Sequence, residues 1–140
     1  MASFGSTSQA RLNTCDHRLV AIFEEVVKIM DCTVLCGERD RQTQNDLFDQ
    51  GRSKLKYPHS KHNTGFLQRK SLAIDVVPYF KKAPHVRWDD RESFCYFAGI
   101  VIGVANSHGV MLTWGNDWNR SFDLSQNNFD DMPHFEIYEE

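Results

Sequence analysis

The chain reads as an α+β domain in which a small antiparallel sheet packs with about three helices. Three observations carry that expectation. Helical periodicity comes first, β-forming runs come mostly late, and no repeat, low-complexity tract or linker divides the 140 residues. A chain of this length can bury one core, so one domain over residues 1–140 is expected, with no second module.

Taken in order, Leu19, Ile22, Phe23, Val26 and Met30 recur at helical spacing between Thr14 and Met30, with Thr14 placed to cap the start. "CTVLCG" follows as a short buried strand stopped by Gly37. Asp40 opens a second helix through Leu47 and Phe48, and Gly51 ends it. "LAIDVVPY" is a strand in which Ile74 and Val76 share one face while Ala73, Asp75 and Val77 share the other. The clearest helix starts after Asp89 or Asp90, aligns Phe94, Phe97, Val101, Val104 and Ala105, and ends at Gly109. "VMLTW" and "HFEIY" complete the strands. In the last one Phe135 and Ile137 take the core side, leaving His134 and Glu136 on the opposite face.

A net charge of −3 gives no basic footprint, so nucleic acid is not an expected partner. No apolar run approaches the roughly 20 residues needed to span a bilayer, so membrane insertion is not expected. The opening "MASFGSTSQARLN" has neither the basic start nor the apolar middle of a signal peptide, which points to synthesis in the cytoplasm. Cysteines at 15, 32, 36 and 95 do not form the paired spacing of a zinc ribbon and are expected as reduced, packed thiols. A cysteine nucleophile, Cys15 or Cys95 with a histidine, is the rival chemistry; Cys95 falls inside a helix, away from an activating N-terminus.

Six histidines are present, and each taken alone reads as an ordinary hydrogen-bonded or surface side chain. Context separates two. His62 lies in the polar loop "SKHNTG" leading to the strand that carries Asp75, a carboxylate too costly in so apolar a run unless paired or bound to a cation. His134 lies just after an acidic pair, on the polar face of the last strand. Two imidazoles and a carboxylate suit Zn²⁺, and three protein ligands leave a fourth position for water. Spacing alone leaves the zinc site and the ordinary surface roles both open.

"S-K-H-N-T-G…A-I-D" followed by "D-M-P-H-F-E" resembles the zinc D-alanyl-D-alanine carboxypeptidase group, which includes the L-alanyl-D-glutamate endopeptidases of phage endolysins. "GERDRQTQNDLFDQGRSK" and "LTWGNDWN" extend the resemblance in the family's order, from about Gly37 to Glu136. The resemblance implies a Hedgehog/D,D-peptidase-like zinc peptidase domain with His62, Asp75 and His134 as ligands. It implies Asp131, on a tight turn before Pro133, as the general base. Arg39 becomes a cation for the scissile carbonyl or a substrate carboxylate, and Ser60 and Trp114 become substrate-binding residues. The implied function is a peptidoglycan L-alanyl-D-glutamate endopeptidase of endolysin type, with D-alanyl-D-alanine carboxypeptidase or a non-catalytic zinc module as alternatives. Such a protein resembles monomeric one-domain endolysins that lack a separate wall-binding module. They wait in the host cytoplasm until another protein opens the membrane and then act in the periplasm.

Twelve residues separate His62 from Asp75, twice the family's usual gap. The extra stretch, about "FLQRKS", is expected to bulge outward and leave both ligands facing the metal, with Arg69 and Lys70 near an anionic substrate. Asp117, Asn119, Ser121 and Asp123 alternate like the first oxygens of a calcium loop, so Ca²⁺ is a second candidate ion. Phe122 at the sixth position and Asn128 at the twelfth depart from that pattern, and a plain polar turn explains the same residues.

Overall fold

The computed structural model describes residues 2–65, 69–127 and 130–139. Among the described residues, four α-helices accompany a four-stranded antiparallel sheet: α1 Ser6–Leu12, α2 His17–Ile29, β1 Cys32–Cys36, α3 Arg41–Asp49, β2 Ala73–Pro78, α4 Arg91–Ser107, β3 Leu112–Gly115 and β4 Asp131–Ile137. The strand order is β1-β2-β4-β3, so the strands bearing Asp75 and His134 lie side by side in the middle. None of the described helices is long and apolar enough to cross a membrane.

One face of the sheet makes the core. Leu19, Ile22, Phe23 and Val26 of α2 and Phe97, Val101 and Ala105 of α4 pack with Ile74, Val76, Phe135 and Ile137. Phe135 meets Phe23 and Phe97 edge-on, with ring centroids 5.8 and 6.1 Å away. Each buried side chain of this size contributes about 1.5–3 kcal/mol through apolar area removed from water.

The helix starts follow from side-chain caps. Asp16 accepts from the Arg18 N–H, Asp40 from Thr43 and Asp90 from Ser93. Asp16, rather than Thr14, therefore caps α2, and the helix begins at His17. The Thr14 hydroxyl instead donates to Arg11 O and accepts from the Glu38 N–H, tying α1 to the loop after β1.

α1 was not expected from periodicity, and side-chain bonding explains its place. Ser8 Oγ accepts from the Val34 N–H at 3.0 Å, and Arg11 donates to Val34 O at 3.0 Å. These two bonds occupy backbone groups that the edge strand β1 would otherwise expose. Ser8 also bonds Thr33, which pairs across the sheet with Val77. α1 thus packs along the edge strand β1, and its Leu12 joins the core.

Candidate active site

Register brings the candidate groups together. Across β2 and β4, Asp75 stands opposite His134, and across β1 and β2, Cys36 stands opposite Asp75. His62 reaches the same place from a loop stitched at three points. Its carbonyl accepts from the Arg39 N–H, the Lys61 carbonyl accepts from the Leu72 N–H, and its own N–H donates to Ser60 Oγ. Ser60 is buried and fixes the loop while also lining the cleft.

Three donor atoms make a nearly equilateral triangle. His62 Nε2 lies 3.2 Å from His134 Nδ1, and Asp75 Oδ1 lies 3.3 Å from each. Tetrahedral coordination at about 2.0–2.1 Å puts neighbouring ligand atoms about 3.3–3.4 Å apart, so the triangle matches one face of such a site. The outer nitrogens support the same arrangement. His62 Nδ1 is 2.7 Å from Gly37 O, and His134 Nε2 is 2.7 Å from Glu136 Oε1. Both partners can only accept, so the protons sit on the outer nitrogens and both inner nitrogens can turn lone pairs to the centre. A proton could join only two of the three inner atoms, whereas a cation serves all three. The donor set fits a divalent metal.

The surrounding charges are coupled. Burial disfavours the charge of Asp75, but His62 and His134 outweigh it and hold the carboxyl far below the usual range. Burial likewise opposes protonation of His62, yet Asp75 pushes it up to about 10. His134 is also raised, as its bonds to Asp75 and Glu136 overcome burial. Asp131 goes the other way. Burial and then the nearby Asp75 charge raise its carboxyl, only partly offset by His134, His62 and Arg39. Its oxygen lies within 4.8 Å of donor atoms on Asp75 and His134, close enough to share the centre.

Asp131 is the first residue of β4, not part of a preceding turn. It pairs with Gly115 across a register shift, and a Cβ on Gly115 would collide with the Asp131 carbonyl oxygen. Glycine is what allows β3 to approach there. Pro133, which cannot donate to a ladder, falls within that irregular stretch.

Other expected residues find varied places. Arg39 donates to Asp75 Oδ2 at 3.3 Å and to Gln44 Oε1 at 2.9 Å, so it braces the outer oxygen of a candidate ligand. Gln44 is the one buried residue of α3, and its amide also holds Ser53 and Leu55. Trp114 is buried in the core, its indole donating to Met132 O at 2.7 Å. Trp118 is the tryptophan that lines the cleft, its ring 5.4 Å from that of His134. Asp117 accepts from the Ser121 and Phe122 N–H groups, and Asp123 from that of Ser125, so both carboxylates brace their own turn. Asn119 Oδ1 and Ser121 Oγ join the same local bonds.

Of the extra stretch after Gly65, residues 66–68 lie outside the described residues. His62 and Asp75 face one another despite it. Ser71 is fully buried and pairs with Cys15, and Lys70 donates to Asn13 O, away from the cleft. Glu136, expected on the same face as His134, bonds His134 Nε2, with Lys61 3.2 Å behind it. The alternation of His134 and Glu136 was the available signal. For the rival chemistry, Cys15 is buried and its thiol pushed up to about 12 by that burial, which opposes a thiolate nucleophile.

A family model described as phage L-alanyl-D-glutamate peptidase matches residues 1–138. The chain belongs to that family. One member, the L-alanyl-D-glutamate peptidase of Escherichia phage T5, is 30% identical over 123 residues, spanning 86% of this chain and 84% of the relative. The family's fold extends to a crystal structure of the Serratia marcescens L-Ala D-Glu endopeptidase ChiX. It superposes with a TM-score of 0.73 at 23% identity, covering 96% of this chain and 89% of that one.

Proposed function

We propose that this protein is a zinc-dependent endopeptidase that cleaves the L-alanyl-D-glutamate bond of bacterial peptidoglycan, in the role of a phage endolysin. The observation that carries the reading is the donor triangle of His62, Asp75 and His134, with Asp131 beside it, in a chain of the L-alanyl-D-glutamate peptidase family.

His62, Asp75 and His134 would hold the metal. Zinc there supplies Lewis acidity, which polarises the carbonyl and makes water acidic near neutral pH. Asp131 takes the proton of the attacking water on a carboxylate oxygen and passes it to the leaving amine nitrogen. Asp131 would be held in its charged form by a cation bound at these three residues, against the upward push of burial, and so kept a base. Glu136 accepts from His134 Nε2 and keeps its other nitrogen free to ligate. Arg39 orients Asp75 from outside. The cleft above these groups measures about 810 Å³, enough for several residues of an extended peptide. The protein acts as a monomer, waits in the host cytoplasm and reaches the wall from the periplasm once the membrane is opened.

Zinc analysis of the purified protein, followed by digestion of purified murein with mass spectrometry of the new termini, tests the reading. New amino-terminal D-glutamate is expected. Loss of only a terminal D-alanine would make it a carboxypeptidase instead.

A further inference from the structure

The cleft has two unlike walls. Residues 50–74 hold six of the chain's 16 Lys and Arg and none of its 19 Asp and Glu, leaving 10 cations against all 19 acids elsewhere. Three of the six, Arg52, Lys54 and Lys61, line the cleft, and His59 joins them. The facing wall presents Trp118, Asn119, Gln126 and Asn127, which are uncharged.

The cations are not equivalent. Lys61 is engaged with Glu136 and donates to Ile137 O, and Arg39 is engaged with Asp75. Both neutralise the site's own acids. Arg52 is exposed, and among the described residues its guanidinium bonds Gln50 Oε1 alone, at 3.4 Å. The wall is held in place from beneath, where the buried Gln44 amide binds Ser53 Oγ and Leu55 O on either side of Lys54. Asp75, Asp131 and Glu136 at the cleft floor would repel a polyanion. A basic rim over an acidic floor suits a mostly neutral peptide with one carboxylate at its edge.

We infer that Arg52, with Lys54 beside it, forms a subsite for the free carboxylate of the glutamyl residue next to the scissile bond. This deepens the peptidase reading and rests on it. A glutamate linked onward through one of its carboxyls keeps the other free, so every L-alanyl-D-glutamate substrate extended beyond the glutamate offers such a group unless it is amidated. Guanidinium groups bind carboxylates through paired, charge-assisted hydrogen bonds, whereas a carboxamide keeps the shape but loses the charge. The subsite would therefore select against amidated stems and fix which way the peptide lies in the cleft.

The test uses the zinc-loaded protein and two synthetic peptides that differ only in a free or amidated glutamyl carboxyl. The free acid is expected to have a kcat/KM about tenfold higher, a preference that weakens as salt screens the exposed cation. In Arg52→Gln that ratio should fall to within about twofold, and Arg52→Lys should retain part of it. A wild-type ratio near one, or an unchanged ratio in Arg52→Gln, overturns the subsite. Equilibrium binding of the same peptides to Asp131→Asn protein reads the preference without turnover. Equal binding there overturns the subsite even if hydrolysis proceeds. A carboxylate preference in binding without any hydrolysis would keep the subsite and sink the peptidase reading.

Discussion

His134 and Phe135 are neighbours in β4 and stand in opposite environments. Phe135 is sealed between Phe23 and Phe97, while His134 meets Asp75, Glu136 and the cleft. The pleat alone makes this division, because successive side chains point to opposite faces. One strand can then anchor the core and present chemistry, provided its register is fixed. The sheet fixes it from both sides, with Ile74 opposite Phe135 in β2 and Trp114 opposite it in β3. A one-residue slip would exchange the two faces at once.

The sharpest way to break the comparison is to truncate each neighbour in turn. Phe135→Ala should cost about 3–5 kcal/mol of stability through lost contacts and the cavity left behind. His134→Ala should lose most of its metal and all measurable turnover. In the metal-free state its stability should stay much closer to wild type, because the cavity opens to the cleft. Denaturant melts with and without chelator, alongside metal analysis, separate the two. Equal destabilisation of both metal-free variants would mean that the faces are not energetically distinct.

A second contrast lies within the polar face, between groups that hold the ion and one that moves a proton. Asp131→Asn should keep its metal and melting temperature and lose about 10²–10⁴-fold in turnover, the usual range for a lost general base. Substantial activity with full zinc would transfer the role to Glu136, the next carboxylate along.

Much of this division was legible before the structure. The alternation in "AIDVV" and "HFEI" set Asp75 and His134 apart from their apolar neighbours, and the capping aspartates at 40 and 90 marked two helix starts. What stayed hidden depends on contacts distant in sequence. α1 offers little periodicity because its place depends on Ser8 and Arg11 reaching Val34. Trp114 and Trp118 look alike in "WGNDW", but the first ends in the core and the second in the cleft, since a turn intervenes after Gly115. The start of β4 at Asp131 was read as a turn because the proline masked a strand that Gly115 permits.

Smaller effects belong to groups that act through His134. Glu136→Gln keeps the shape but removes the charge that fixes the His134 tautomer, so zinc affinity should weaken by about 10-fold or somewhat more, as such outer partners commonly contribute. Competition with a coloured chelator measures it. Wild-type affinity in Glu136→Gln would show that Lys61, rather than His134, is its functional partner. Proton release gives a related readout. His62, pushed up to about 10, and the raised His134 must each lose a proton to ligate, so apparent affinity should rise with pH through neutrality. Calorimetry in buffers of different ionisation enthalpy counts those protons, and a pH-independent affinity would mean that neither imidazole binds the ion.

The smallest effect is expected from the residue that looks most like a fourth ligand. Cys36, His62 and Asp75 also gather within 4.8 Å, and thiolate is a preferred zinc donor. The geometry separates the sulfur from the triangle. Cys36 Sγ lies 4.0 Å from His62 Nδ1, the nitrogen bonded to Gly37 O, whereas His62 meets His134 and Asp75 through Nε2. The two nitrogens point to opposite sides of the ring, so an ion within the triangle is on the far side of the imidazole from the sulfur. The thiol itself donates to Gly37 O at 3.6 Å, a weak bond that serine can replace. Cys36→Ser should therefore keep its zinc content and change turnover less than about twofold, as most substitutions away from a functional contact do. Cobalt substitution sharpens the point, because a cobalt–thiolate bond adds a charge-transfer band in the near ultraviolet that imidazole and carboxylate ligands do not. That band should be absent from wild type and from Cys36→Ser alike. A band in wild type that disappears in Cys36→Ser would place the sulfur on the ion and redraw the site as a thiolate centre.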